Sequence, residues 1–294
     1  MPRIASDQSD AIHLELVKNM LTCSIKMQMA AMARKKETAI TFFVLLMFVL
    51  VNFWGNIKEN AGIGYISQMY DYIKVLTLSD YSRTGYFLME FFPLLAVMPT
   101  AYSYLVDRNT NIKTYIESRT GKRNYLYGKV ISVFLITFLV FTIPFLIEVL
   151  MGGICFDIRS AGDPSNLGYF QTVEWDGRLF LSGIFFANKI VYAVLCIVLF
   201  GIVSGVLAVF NFAVSTLKFM KYKIYTFFPI YILLFVMDVV ENVMHLEFTM
   251  SYMFILRMFN VVSKNYAFYC AVLIVLIFIS ILLLERKLKR NEID

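Results

Sequence analysis

Glu241 and His245 stand four residues apart, a spacing that on a helix sets both side chains on one face, where a carboxylate and an imidazole can share a ligand. Asp238 and Glu241, three apart, share a face in the same way and can attract a cationic substrate or line an aqueous path. Glu148 is a third acid set within an apolar stretch and belongs to the same possible path. A metal centre needs three or four ligands, however, and the chain has only two histidines, His13 and His245. Gly121-Lys122 lacks the earlier glycine and the preceding strand of a phosphate-binding loop, and neither a G-x-S-x-G elbow nor an H-E-x-x-H pair occurs. No catalytic residue, no metal and no cofactor bound by this chain is expected.

The elements that position these acids are apolar helices. Of 294 residues 59% are hydrophobic and 16% charged, and the mean hydropathy is +0.69. Runs at 38–55, 86–106, 129–151, 184–217, 224–240 and 266–285 approach or exceed the roughly 20 apolar residues that cross about 30 Å of hydrocarbon. They lack the alternation of barrel strands, and an open strand cannot satisfy its backbone in lipid, so each reads as a helix. Pro93, Pro99, Pro144 and Pro229 predict kinks in or near them. Gly201 and Gly205 make a G-x-x-x-G spacing in the fourth run, a close-packing face for another helix of the same subunit or of a second copy. The expectation is an all-α integral membrane protein with six transmembrane helices and a single domain over 1–294.

Most of the 27 Lys and Arg residues fall on the side of the N-terminus, which predicts that both termini are cytoplasmic and that the +6 charge reflects topology and not a nucleic-acid partner. No cleavable signal is expected ahead of the first run. Cys23 falls on the cytoplasmic side, Cys196 and Cys270 within spans and Cys155 outside, so no intrachain disulfide is expected.

Residues 11–36 read as an amphipathic helix on the inner membrane surface, with Leu14, Val17, Leu21, Ile25 and Met32 on one arc and Arg34, Lys35 and Lys36 among headgroups. The loop 107–128 is too charged for lipid and predicts a short helix, started by Asn109 or Thr110, ended by Gly121 and carrying Ile112, Tyr115 and Ile116 on one face. Asn124 is expected to cap the third span. Such a helix suits docking into a groove on another protein. Outer segments 56–85 and 152–183 read as modest water-exposed loops. Segment 241–265 is too apolar for a free loop and too short to cross twice, which predicts a re-entrant helical hairpin before the last span.

Pro93-Leu-Leu-Ala, Pro99, Asp107-Arg108, Tyr115-Ile116, Arg119 and Arg123-Asn-Tyr125-Leu-Tyr-Gly128-Lys129 together resemble the permease subunits of bacterial ABC transporters of the type-2 exporter family. Asn111 stands where that family often has glycine, and Asp107 where glutamate is common. The resemblance implies a coupling helix within 107–121 that docks on an ATPase subunit, with Asp107, Arg108, Ile112, Tyr115, Ile116 and Arg119 as contacts. It further implies a second permease, identical or not, ATP and Mg held by the partner ATPase, and export of an amphipathic or hydrophobic peptide, antimicrobial or lipid across the cytoplasmic membrane. The alternatives are an ion-coupled secondary transporter, and a membrane-embedded hydrolase built on Glu241 and His245.

Overall fold

The computed structural model describes residues 20–62, 71–100, 103–158, 181–217, 220, 222–245, 249–258 and 266–290. Among these the chain is helical and has no strand, only an isolated bridge between Ser79 and Met258. Helix α1 covers 20–33 of the described residues. It is followed by α2 (Lys36–Asn60), α3 (Tyr72–Val75), α4 (Arg83–Val97), α5 (Ser103–Asn109), α6 (Ile112–Thr120) and α7 (Lys122–Cys155). Then come α8 (Ser182–Ala187), α9 (Lys189–Ser215), a 3-10 turn (Lys223–Phe227), α10 (Phe228–Met244), α11 (Tyr252–Ile255) and α12 (Tyr266–Arg290). Five stretches, Lys36–Asn60, Lys122–Cys155, Lys189–Ser215, Lys223–Met244 and Ala267–Lys289, are long and apolar enough to cross a bilayer. The chain is therefore an all-α, multi-pass membrane protein.

The expected run 86–106 is divided. Helix α4 ends at Val97 and α5 starts at Ser103, with a turn at 98–100. Pro99 marks the break, because it donates no backbone hydrogen bond with which the helix could continue past Met98. The carbonyl left free at Pro99 accepts from the Thr38 hydroxyl at 3.2 Å. The expected run 184–217 is also divided, at Asn188, whose side chain accepts from the backbone amides of Ile190 and Val191 and so caps α9.

Helices α7 and α9 form the spine and are the most buried of the five membrane-length stretches, whereas α10 and α12 turn most of their surface outward. Gly201 and Gly205 face α7 within the same subunit. A Cβ at Gly205 would stand 2.7 Å from the Phe134 ring, and one at Gly201 would overlap the Thr142 hydroxyl and lie 3.0 Å from Phe138. The two phenylalanine rings stack with centroids 6.2 Å apart, making a flat surface on which the glycines lie. Where α4 joins the spine, Phe92, Phe141, Phe145 and Phe200 pack mostly edge to face and are fully buried.

Three local expectations are corrected. Residues 71–79, read as part of a water-exposed outer loop, are buried: Tyr72 donates to the Val149 carbonyl at 2.6 Å, and α3 is held between α2 and the end of α7. Helix α1 does not lie on lipid alone, because its inward face carries Ser24 and Gln28. These reach the carbonyls of Asn124 and Tyr125 at 3.2 and 3.1 Å, while the absence of a side chain at Gly128 allows the close approach. Asn124 does not cap the third span, since α7 begins at Lys122 and the Asn124 amide donates back to Thr120. Residues 11–19, 159–180, 246–248 and 259–265, on which parts of the N-terminal helix, the second outer loop and the hairpin were placed, lie outside the described residues.

Candidate functional site

Two places combine exposed or unbalanced chemistry with a rigid frame. The first is α6. It begins after Asn111, which adopts a left-handed conformation at φ 57°, and it ends at Gly121, whose φ of 81° favours glycine. None of its residues is fully buried. Ile116 is half-buried against the core, while Ile112 and Tyr115 face outward at 47% and 58% exposure. The Arg119 guanidinium lies over the Tyr115 ring, 4.3 Å from its centroid, which pre-orders both side chains.

The frame beneath α6 is a buried ionic cluster. Asp107, at the end of α5, is turned inward and accepts from the Lys129 ammonium at 2.6 Å and from the Tyr125 hydroxyl at 2.9 Å. Asp107 thus ties α5 to the first turns of α7 and positions α6, whereas Arg108, Ile112, Tyr115 and Arg119 are the exposed members of the expected contact set. Lys35, at the α1–α2 junction, is held below its ordinary value by burial, with Asp107 opposing that effect. One carboxylate therefore joins α5 to α7 at the base of the exposed helix.

The second place is a cavity of about 280 Å³ among α4, α9, α10, α11 and α12. Its wall is apolar, from Phe92, Phe200, Leu234, Met237 and Leu273, with the thiols of Cys196 and Cys270 facing it from α9 and α12. Helix α12 packs on α9, and α10 packs on α4 and α9 more than on α12. Arg257 also lines this space, but its guanidinium is engaged by Asp80 at 3.2 Å and by the carbonyls of Ser79 and Ser82 at 2.8 and 3.2 Å.

The three acids of the expected path have different environments. Glu148 is buried and does not line the cavity; one of its oxygens accepts from Asn52, the Thr77 amide and the Thr77 hydroxyl at 3.0, 2.8 and 2.6 Å. Asn52 in turn accepts from Ser82 at 2.7 Å, so Glu148 stitches α2, α7 and the 71–82 segment together. Glu241 holds the chain after α10: one oxygen accepts from Thr249, Met250 and Ser251 at 3.1, 2.7 and 2.9 Å. Asp238 follows Met237 and stands one turn beyond Leu234, both of which line the cavity. Burial pushes the Tyr252 phenol up to about 12, and the Asp238 charge is the next cause. His245 is exposed and ends α10 at φ 48°, and among the described residues no group of three His, Cys, Asp or Glu side chains is placed to hold a metal ion.

Reading by hydropathy missed the inward Ser24–Gln28 pair and the Asn52–Glu148–Thr77 network, since polar residues in a helix look solvent-facing. Their only signal is position: Ser24 and Gln28 stand i, i+4 within an amphipathic stretch, and Asn52 interrupts an otherwise apolar run. No family model, no curated protein and no solved structure matches this chain.

Proposed function

We propose that this chain is the membrane subunit of an ATP-driven exporter, with no catalysis of its own. The reading takes α2, α4 with α5, α7, α8 with α9, α10 and α12 as six passages, both termini in the cytoplasm, and α6 as the helix that meets a cytoplasmic ATPase subunit. The observation that carries it is α6 itself: a nine-residue helix with no buried residue, presenting Ile112 and a Tyr115–Arg119 stack outward, and fastened at its base to α5, which leads into it, and to α7, which leaves it. An exposed aromatic and arginine pair on a rigid support is what a protein-docking element requires. ATP and Mg bind the partner, a second permease completes the route, and the cargo is amphipathic or hydrophobic. The N-terminal end of α7 then transmits displacement of α6 into the spine through the Asp107–Lys129 ion pair that joins α5 to α7.

The test is purification of the chain with its bound proteins, in native form and as the Tyr115→Ala, Ile116→Ala, Arg119→Ala triple variant. A stoichiometric ATPase retained by the native chain and lost by a folded variant supports the proposal. A native chain that carries no ATPase overturns it.

The ion-coupled alternative has one favouring observation, the buried Glu148 carboxylate of α7. Its oxygen already receives three donors, which fits a structural joint better than a group that exchanges protons with a path. Transport that survives Glu148→Gln while depending on ATP excludes that alternative.

A further inference from the structure

The cavity among α4, α9, α10, α11 and α12 has chemistry of its own. At about 280 Å³ it lies at the lower end of the roughly 300–1,000 Å³ of ordinary ligand pockets, room for one extended chain and not for a two-chain lipid. Its wall is almost wholly apolar, and α10 and α12 flank it while packing chiefly on other helices, which leaves a seam through which a chain can arrive from the bilayer.

Next to its lining residues Met237, Tyr252 and Tyr269, this apolar space adjoins the negative charge of Asp238. Arg257 adds no net positive charge, because Asp80 neutralises it. Among the described residues no ion pair engages Asp238 or Glu241, and the bonded oxygen of Glu241 is committed to residues 249–251. The Asp238 carboxylate takes a side-chain hydrogen bond from Ser251, but its Oδ1 and the Tyr269 hydroxyl are shielded from solvent and find no hydrogen-bond partner among the described residues, the kind of orphaned group that a bound ligand satisfies. Tyr252 and Tyr269 line the cavity and lie within electrostatic reach of Asp238. A carboxylate with electron-rich rings around it favours a cation and repels an anion.

We propose that this cavity binds a single-chain cationic amphiphile, its alkyl chain among Phe92, Phe200, Leu234 and Leu273 and its cationic head beside Asp238, with Tyr252 and Tyr269 around it. The binding stands on the cavity; only its role as a station on an export route rests on the permease reading.

The experiment is equilibrium binding of radiolabelled dodecyltrimethylammonium to the full chain in phosphatidylcholine nanodiscs, with empty nanodiscs as the measure of partition into lipid. The expected result is a saturable component of one site per chain, competed by unlabelled tetradecyltrimethylammonium and not by dodecyl sulfate. Asp238→Asn should weaken it at least tenfold, and Leu273→Trp, which fills the cavity without touching the charge, should abolish it. Occupancy should also slow maleimide modification of Cys196 and Cys270 and leave Cys23 and Cys155, which do not line the cavity, unchanged. Absence of a saturable component, equal competition by dodecyl sulfate, or binding unaltered by Leu273→Trp overturns the proposal, and the last variant decides the matter if Asp238→Asn does not fold. None of these readouts involves an ATPase, so a failed site and a failed exporter reading are told apart.

Discussion

Removing Lys129 should unfasten the base of α6, and the size of the effect can be worked from the cluster. The ammonium lies 2.6 Å from Asp107, and both side chains are nearly excluded from solvent. Deleting one partner of a buried ion pair costs about 3–5 kcal/mol, because the other charge is left uncompensated. Two groups soften this for Asp107: the Tyr125 hydroxyl still donates at 2.9 Å, and Lys35 stands within electrostatic reach. Lys129→Met is therefore expected at the lower end, about 3 kcal/mol. In the double variant with Asp107→Asn neither charge remains, and its loss should fall short of the summed single losses by at least about 2 kcal/mol. The assay is reversible unfolding in mixed micelles, as a double-mutant cycle, with trypsin cleavage at Arg119, Lys122 and Arg123 as an independent report on α6. Cleavage should accelerate about tenfold for each 1.4 kcal/mol by which opening of the loop becomes easier. Losses that add to within about 0.5 kcal/mol would refute the reasoning, since they would mean that the two residues do not act as one joint.

Gly201→Val should destabilise the chain by about 1–3 kcal/mol through overpacking against Thr142 and Phe138, whereas Gly55→Ala, with open space at its Cβ, should be neutral or stabilising by up to about 1 kcal/mol; thermal midpoints in detergent compare them. Asn52→Leu should cost about 1–3 kcal/mol, because it removes a donor from Glu148 and the acceptor of Ser82, and the same unfolding assay reads the loss. Single-cysteine chains should show Cys155 modified from outside intact cells by an impermeant maleimide and Cys23 modified only after permeabilisation. Tyr115→Ala and Arg119→Ala should leave the unfolding midpoint within about 0.5 kcal/mol of native, since both side chains lie on the exposed face of α6.

Apolar length carried most of what the sequence revealed about the fold. The cores of α2, α7, α9 and α12 were legible because a bilayer imposes one rule, enough apolar residues in succession, that no distant contact can change. The helix 112–120 was legible for a local reason: Gly121 can adopt a positive φ, and its residues are too charged for lipid. What escaped depends on pairing at long range. Asp107 looked like an exposed contact because Lys129, its partner, lies 22 residues on in the next helix. Residues 71–79 looked like a loop because burial there rests on Glu148, which accepts from Thr77, and on Arg257, which donates to the Ser79 carbonyl, both far along the chain. Likewise Glu241 and Asp238 share a helix face, yet one holds the chain at 249–251 and the other follows Met237, which lines the cavity, a division that spacing alone does not contain.

The central claim is that α6 is the surface on which a cytoplasmic ATPase acts. The most direct measurement is site-directed cross-linking: Tyr115→Cys in a chain whose other cysteines are replaced by serine, treated in membranes with a short bifunctional maleimide, and the adduct identified by mass spectrometry. The account expects one adduct, to an ATPase subunit, whose yield changes when ATP and Mg are added. An adduct to lipid-embedded protein alone, or Tyr115→Cys protected from every reagent because it lies within the bilayer, would contradict it.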